Sequence, residues 1–164
     1  MLSERERQEI AEELGRVPRV RAAVTDALLV LQRHRGWVSD EGVRDVAGVL
    51  GMSAEEVDGI ATFFEGIFRR PVGRHVIEVC DSVSCWICGS DGIADCLRGV
   101  LGVGFGETTG DGGFTLLPAG CLGACDRAPA MLVDGELHGN LTAEGVREIL
   151  ERCKEGTDGD AAHR

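Results

Sequence analysis

Up to Pro71 the apolar residues recur every three to four positions, the spacing of one buried face on a helix. Ser3 with Glu6 has the form of a capping box and opens a helix expected to reach about residue 14. A second helix is expected over 19–34, with Val20, Val24, Ala27, Leu28 and Leu31 on its stripe and Gly36 at its end. Ser39 caps a third, whose face is Val43, Val46, Ala47 and Leu50 and whose stop is Gly51. Ser53 and Glu56 repeat the capping box and start a fourth, carrying Val57, Ile60, Phe64 and Ile67. Short amphipathic helices this closely spaced predict a small bundle.

Past Pro71 the period changes. The β-branched run over 75–80, HVIEVC, reads as a strand. A loop follows, then a helix over about 91–101 with Ile93, Leu97 and Val100 on its buried side. A glycine-rich stretch, 102–113, leads into a second strand at 114–117, followed by a loop to Pro129. The segments 131–133 and 136–138 flank Asp134-Gly135, a two-residue hairpin signal. Thr142 caps a last helix with Val146, Ile149, Leu150 and Cys153 inward. The order β-α-β-β-β-α predicts a small α/β layer fold of thioredoxin type. The whole chain is then a helical bundle (1–71), a thioredoxin-like domain (72–154) and a polar tail (155–164), mixed α+β or α/β in class.

Composition narrows the function. Lys and Arg number 17 against 28 Asp and Glu, a net charge of −11, and the basic residues form no run. That balance disfavours nucleic acid, whose phosphates need clustered cations. No apolar stretch approaches the roughly 18 residues of a membrane span, so direct membrane insertion is not expected. The first ten residues, MLSERERQEI, lack the apolar core of a secretory signal. A cytoplasmic protein is expected, in which thiols stay reduced. Seven cysteines in such a chain read as metal or redox chemistry before disulfides.

Their spacing carries the argument. Cys80 and Cys85 are separated by four residues and Cys121 and Cys125 by three, each pair directly after a predicted strand. A parallel β-α-β crossover brings the carboxyl ends of its strands to one sheet edge, where four thiolates would meet. Four thiolates suit tetrahedral zinc or an iron–sulfur cluster. Zinc ribbons use C-x2-C knuckles, which neither pair has, and a [2Fe-2S] cluster, being wider than one ion, fits the looser loops better. Gly120 and Gly123 flank Cys121 and Gly89 follows the first pair; backbone without side chains can approach sulfur and donate N–H bonds. Cys88 opens alternatives. Cys80-x4-Cys85-x2-Cys88 has the plant-type ferredoxin spacing, with a distant fourth ligand. Cys85 and Cys88 also form a C-x-x-C redox pair. The two-plus-two set is preferred because it accounts for Cys121 and Cys125 together. Cys96 and Cys153 fall on apolar helix faces and read as core.

Other signatures are missing. There is no P-loop, and the glycines at 102, 104 and 106 follow a helix and do not make a dinucleotide fingerprint. The four histidines are scattered, and each reads as surface or strand filler. Phe63, Phe64 and Phe68 exceed what one buried stripe needs and are expected mainly in core and subdomain packing, the alternative being that part of the cluster faces a partner.

Two blocks, 36–85 (GWVSDEGVRDVAGVL through CDSVSC) and 106–150 (GETTGDGG through CLGACDRAPAMLVDGELHGNLTAEGVREIL), carry a resemblance. They are similar to the E-subunit family of NADH-quinone oxidoreductase, bacterial complex I. The resemblance implies a thioredoxin-like domain after a helical bundle, and one [2Fe-2S] cluster per chain. Carried over by motif, its ligands are Cys80 and Cys85 from CDSVSC and Cys121 and Cys125 from CLGAC. It also implies a partner, a larger flavoprotein that holds FMN, oxidises NADH and exchanges single electrons with the cluster. The chain would lie on the cytoplasmic side of the membrane through its complex. Related modules occur in NAD-linked formate dehydrogenases and hydrogenases, which stand as the alternative; a zinc-stabilised adaptor is a third. Phe64 stands where the family commonly has tyrosine, and Cys88 where a residue other than cysteine is usual. An all-cysteine cluster in an acidic chain is expected to have a low potential.

Overall fold

The computed structural model of the chain describes residues 1–156. The polar tail expected over 155–164 lies outside them from residue 157, and Glu155 itself ends the last helix. The chain divides into two compact units, Met1–Pro71 and a second beginning at Val72.

The first unit is helical: α1 Glu4–Arg16, α2 Val24–Arg35, α3 Asp40–Leu50 and α4 Ala54–Phe63. Both capping boxes form, at Ser3/Glu6 and Ser53/Glu56, and Ser39 caps α3. Gly36 and Gly51 end α2 and α3 in the left-handed region (φ 80° and 64°) that glycine enters without strain. Ile10, Val24, Leu28, Leu31, Val46 and Val57 are fully buried in the core.

Two expectations need correction here. The second helix begins at Val24, because 20–23 make a tighter 3-10 turn and Val20 points out, 47% exposed. Pro18 ends the helix before it. The residue before a proline is pushed to extended backbone, and Val17 has φ −118° and ψ 144°. The fourth helix stops at Phe63 and does not run on to Ile67. Gln32 captures the following segment, donating to Gly66 O at 2.9 Å and accepting from Phe68 N at 2.6 Å. Ile67 is buried through that segment, whereas Phe63 and Phe64 are 79% and 45% exposed and form an edge-to-face pair at the surface. The packing role expected for those two rings therefore fails.

Glu6 has a second duty. Its carboxylate is buried and accepts from Arg35 Nε and Nη2 at 2.7 and 3.0 Å. The guanidinium holds the Glu6 pKa down at about 2.

The second unit holds one mixed sheet of order β2-β3-β1-β4-β5: β1 His75–Cys80, β2 Glu107–Thr108, β3 Phe114–Ala119, β4 Met131–Val133 and β5 Glu136–His138. Strands β1 and β3 are parallel, in register from His75 opposite Phe114 to Cys80 opposite Ala119. The hairpin β4–β5 turns at Asp134 and Gly135, both at positive φ. The Asp134 carboxylate accepts from Val76 N and pairs with His75, fastening the turn to the start of β1. Helices α6 Ser90–Leu101 and α7 Ala143–Glu155 bring Leu97, Val146 and Leu150 to a core with Ile77, Leu116 and Met131. Cys96 and Cys153 pack partly buried against it. Val100, expected inward, is 40% exposed; the buried ridge runs Ile93, Leu97, Leu101 at four-residue steps.

Two elements escaped the sequence reading, the strand β2 inside the glycine-rich stretch and the helix α5, Val83–Ile87, where a loop was expected. Strand β3 also runs two residues longer, through Pro118. Strand β2 reaches only Thr115 and Leu116, so β3 has an open side at Pro118, where a residue without N–H is tolerated.

Candidate metal centre

The parallel pairing of β1 and β3 decides where the cysteines go. Cys80 is the last residue of β1, and its partner Ala119 stands two residues before Cys121. The ladder continues one step, Asp81 N donating to Ala119 O at 3.0 Å, so both cysteine loops leave the sheet at one edge. Helix α5 then carries Cys85 inward, 2% exposed, while Val83, Trp86 and Ile87 face out. The second loop places Cys121 and opens a 3-10 turn at Cys125. Ala124 and Ala130, small and buried, pack with Cys80 and Cys85.

The four thiols form a continuous group. Cys85 interacts with Cys80 and with Cys125, and the Cys125 sulfur lies 3.7 Å from that of Cys121. Cys80 and Cys85 are buried; Cys121 and Cys125 are exposed. Burial pushes the Cys85 thiol up, and the Cys80 thiol beside it adds to that, while a backbone N–H from Ala130 opposes it. Cys121 shifts the other way. The Gly123 N–H aimed at its sulfur favours the thiolate most, followed by Cys125 and by the Ser82 hydroxyl. Gly123 sits at φ 76°, a conformation in which its N–H turns back toward Cys121 and which a side chain would strain.

The loop between Ala124 and Met131 is held from behind. Cys80 N donates to Ala130 O at 3.1 Å, Asn140 N to Arg127 O at 2.6 Å and Leu141 N to Pro129 O at 3.1 Å. Gly139 permits this approach, since a Cβ there would stand 2.6 Å from Arg127 Cβ and 2.8 Å from Arg127 O.

Cys88 closes α5 and is exposed, and among the described residues no interaction joins its thiol to the other four. The groups that shift the Cys85 thiol include Cys80 and Cys125. Gly89, expected near sulfur, instead forms the junction of α5 and α6 at φ 92°. The reading of the sequence missed Ala130 and Ser82 as sulfur neighbours. Ala130 carries no signal, because its backbone alone acts; Ser82 had one, a hydroxyl inside C-x4-C.

The donor set is one of thiols, the ligands of metal–thiolate centres. A tetrahedral metal with bonds of about 2.3 Å holds two thiolates about 3.8 Å apart. The Cys121–Cys125 separation matches that edge. Among the described residues no three Cys, His, Asp or Glu side chains converge as a single ion requires. No described helix is long and apolar enough to cross a membrane.

Comparison with known proteins bears on the family. Residues 10–154 match the family of thioredoxin-like [2Fe-2S] ferredoxins. The NADH-quinone oxidoreductase E subunit of Pseudomonas aeruginosa is 47% identical over 151 residues, covering 92% of this chain and 91% of its own. Its namesake from Escherichia coli K12 is 49% identical over 153 residues, covering 93% and 92%. In fold, the chain resembles part of an NAD+-reducing [NiFe]-hydrogenase (TM-score 0.67, 22% identity, 78% of this chain and 22% of the hydrogenase chain). The chain belongs to the thioredoxin-like [2Fe-2S] ferredoxin family, among the E subunits of NADH-quinone oxidoreductase, which are electron-transfer subunits of an oxidoreductase.

Proposed function

We propose that this chain is a one-electron carrier whose Cys80, Cys85, Cys121 and Cys125 would hold one [2Fe-2S] cluster. The gathering of these four thiols at the carboxyl ends of two parallel strands carries the reading. The bound cluster takes up and returns one electron. The protein's part is to hold and insulate it. Cys80, Cys85, Ala124 and Ala130 keep one side dry, and the N–H groups of Ala130 and Gly123 point at sulfur. The exposed pair, Cys121 and Cys125, forms the side from which electrons reach a partner.

That partner is the flavoprotein that binds FMN and NADH, in a respiratory NADH:quinone oxidoreductase on the cytoplasmic face of the membrane. Identities of 47–49% to E subunits favour this enzyme over a formate dehydrogenase or a hydrogenase, to whose chain the likeness is one of fold. The test is iron and acid-labile sulfide on anaerobically purified protein, with EPR after dithionite. Two of each per chain and an S = 1/2 signal are expected. Zinc without sulfide would overturn the reading in favour of a structural adaptor.

A further inference from the structure

We propose that the outer face of α5 is the docking surface for the flavoprotein partner, its Val83, Trp86 and Ile87 entering an apolar socket rimmed with Lys and Arg. The inference rests on the cluster and partner reading above and adds where that partner sits.

Single exposed apolar side chains are ordinary on a protein surface, whereas a contiguous patch of them marks an interaction site. Val83, Trp86 and Ile87 are 64%, 59% and 73% exposed, three large apolar residues on a helix of five. Spaced three and four apart, they share one face, and buried Cys85 lies off it. The Trp86 ring is already held. Its Nε1 donates to Asp91 Oδ2 at 2.9 Å, tying α5 to the first turn of α6. A large ring fixed before contact loses little freedom on binding, and tryptophan is enriched among the residues that anchor interfaces.

Charge selects the occupant. From His75 to Leu97 the chain has no Lys or Arg and carries Glu78, Asp81, Asp91 and Asp95. Asp95 pairs with Arg98 at 2.9 Å, which leaves Asp81 and Asp91, both exposed, as the charges that flank α5 in sequence. A second copy of this chain would bring the same charges, at −11 per chain, and an anionic lipid surface would repel them. A partner with cations around an apolar socket is attracted instead. Position then ties that partner to the site. Helix α5 leaves the sheet at the edge where Cys121 and Cys125 are exposed. A helix with its side chains is about 10–12 Å across, so a group seated on Trp86 lies within about one helix width of the Cys85 thiol. The protein that exchanges electrons at these thiols is therefore the one that covers α5.

The experiment measures binding of the full chain, carrying its cluster, to the purified flavoprotein subunit from the same organism, by titration calorimetry at low and at high salt. Iron and sulfide are measured on every sample. Trp86→Ala is expected to raise the Kd by about 30-fold at unchanged iron and sulfide. Asp81→Asn with Asp91→Asn keeps an acceptor for the indole, removes both charges, and should narrow the gap between the Kd at low and at high salt. If Trp86→Ala fails to hold iron, Ile87→Ser on the same face repeats the test. A loaded Trp86→Ala or Ile87→Ser chain with the wild-type Kd overturns the inference and leaves the cluster reading standing. Self-association of wild type, or its retention on phosphatidylserine vesicles, that these variants abolish would give the face to a second copy or to lipid and overturn it as well. Wild type that holds iron and sulfide yet does not bind the flavoprotein removes the partner reading and this inference together. Wild type without iron and sulfide removes the cluster reading on which both rest.

Discussion

In the helical unit the buried carboxylate of Glu6 meets a guanidinium, and two hydrogen bonds from Arg35 satisfy it. In the sheet unit the buried thiol of Cys85 meets Cys80 and Cys125, groups of its own kind that resist its ionisation. The first arrangement is complete: opposite charges, bidentate geometry, a capping box sharing the same carboxylate. The second is not. Burial and the neighbouring thiols favour the protonated form of Cys85, and a cationic metal would reverse that preference. One unit thus closes on its own side chains, and the other sets thiols side by side at one end of its parallel strands.

The largest effect is expected at Cys85. Cys85→Ala removes a buried ligand and should take iron and sulfide to background and erase the EPR signal, while the far-UV circular dichroism persists. Glu6→Gln, in the helical unit, should leave the iron content unchanged. Stoichiometric iron in the Cys85 variant would remove this cysteine from the ligand set.

Next comes a matched pair in the two cores. Leu31 and Leu116 are both fully buried, one in each unit. Truncation to alanine should cost about 2–5 kcal/mol in either case, read by denaturant unfolding. Only Leu116→Ala, in the strand that leads to Cys121, should also speed loss of the bound cluster on exposure to a chelator. Equal rates of loss in the two variants would deny that the sheet core supports the site.

Acid separates the units by a different route. The unfolded chain protonates Glu6 near 4.5, whereas the folded chain resists until about 2. Its depressed folded value contributes stability that is present above about pH 4.5 and lost as pH falls toward 2. The shift corresponds to about 3 kcal/mol at most. Metal-free Glu6→Gln should therefore unfold with a shallower pH dependence than wild type in that window. Parallel curves would show the Arg35 pair to be neutral.

A smaller cost is expected behind the cysteine loop. At Gly139→Ala the new Cβ meets the Arg127 backbone oxygen at 2.8 Å, an atom that cannot swing aside. The strain should destabilise the chain by about 1–3 kcal/mol and loosen the segment bearing Ala130. Faster cluster loss at unchanged initial iron is the readout.

Much of this was legible in the sequence, for a physical reason that differs between elements. Capping boxes and glycine stops are local chemistry, and α1, α3 and α7 follow them closely. The parallel course of β1 and β3 followed from the length of their connection. Helix α5 was hidden because five residues give no period to read, and its outward face is apolar, Val83, Trp86 and Ile87, the reverse of the usual pattern. The end of α4 was hidden because a distant side chain, Gln32, decides it. At the site, cysteine spacing identified the four thiols, but spacing is silent about burial. That Cys80 and Cys85 are enclosed while Cys121 and Cys125 face outward depends on α5 and on the Ala130 loop.

The smallest expected effect is the one that discriminates most between ligand sets. Cys88 lies three residues after Cys85 and in sequence completes a plant-type run; in the fold it caps α5 at the surface, outside the thiol group. Cys88→Ser should keep full iron and sulfide, the same EPR line and the same potential, whereas Cys125→Ser should lower iron content and alter the signal. The two variants must be measured together: the two-plus-two set loses iron only at Cys125, whereas the plant-type set loses it at Cys88 whichever second-loop thiol is its fourth ligand. Iron lost at Cys88 and kept at Cys125 would mean that loading pulls the end of α5 inward. Unchanged spectra at Cys88 leave the exposed pair, Cys121 and Cys125, as the only thiols through which the second loop can hold the cluster.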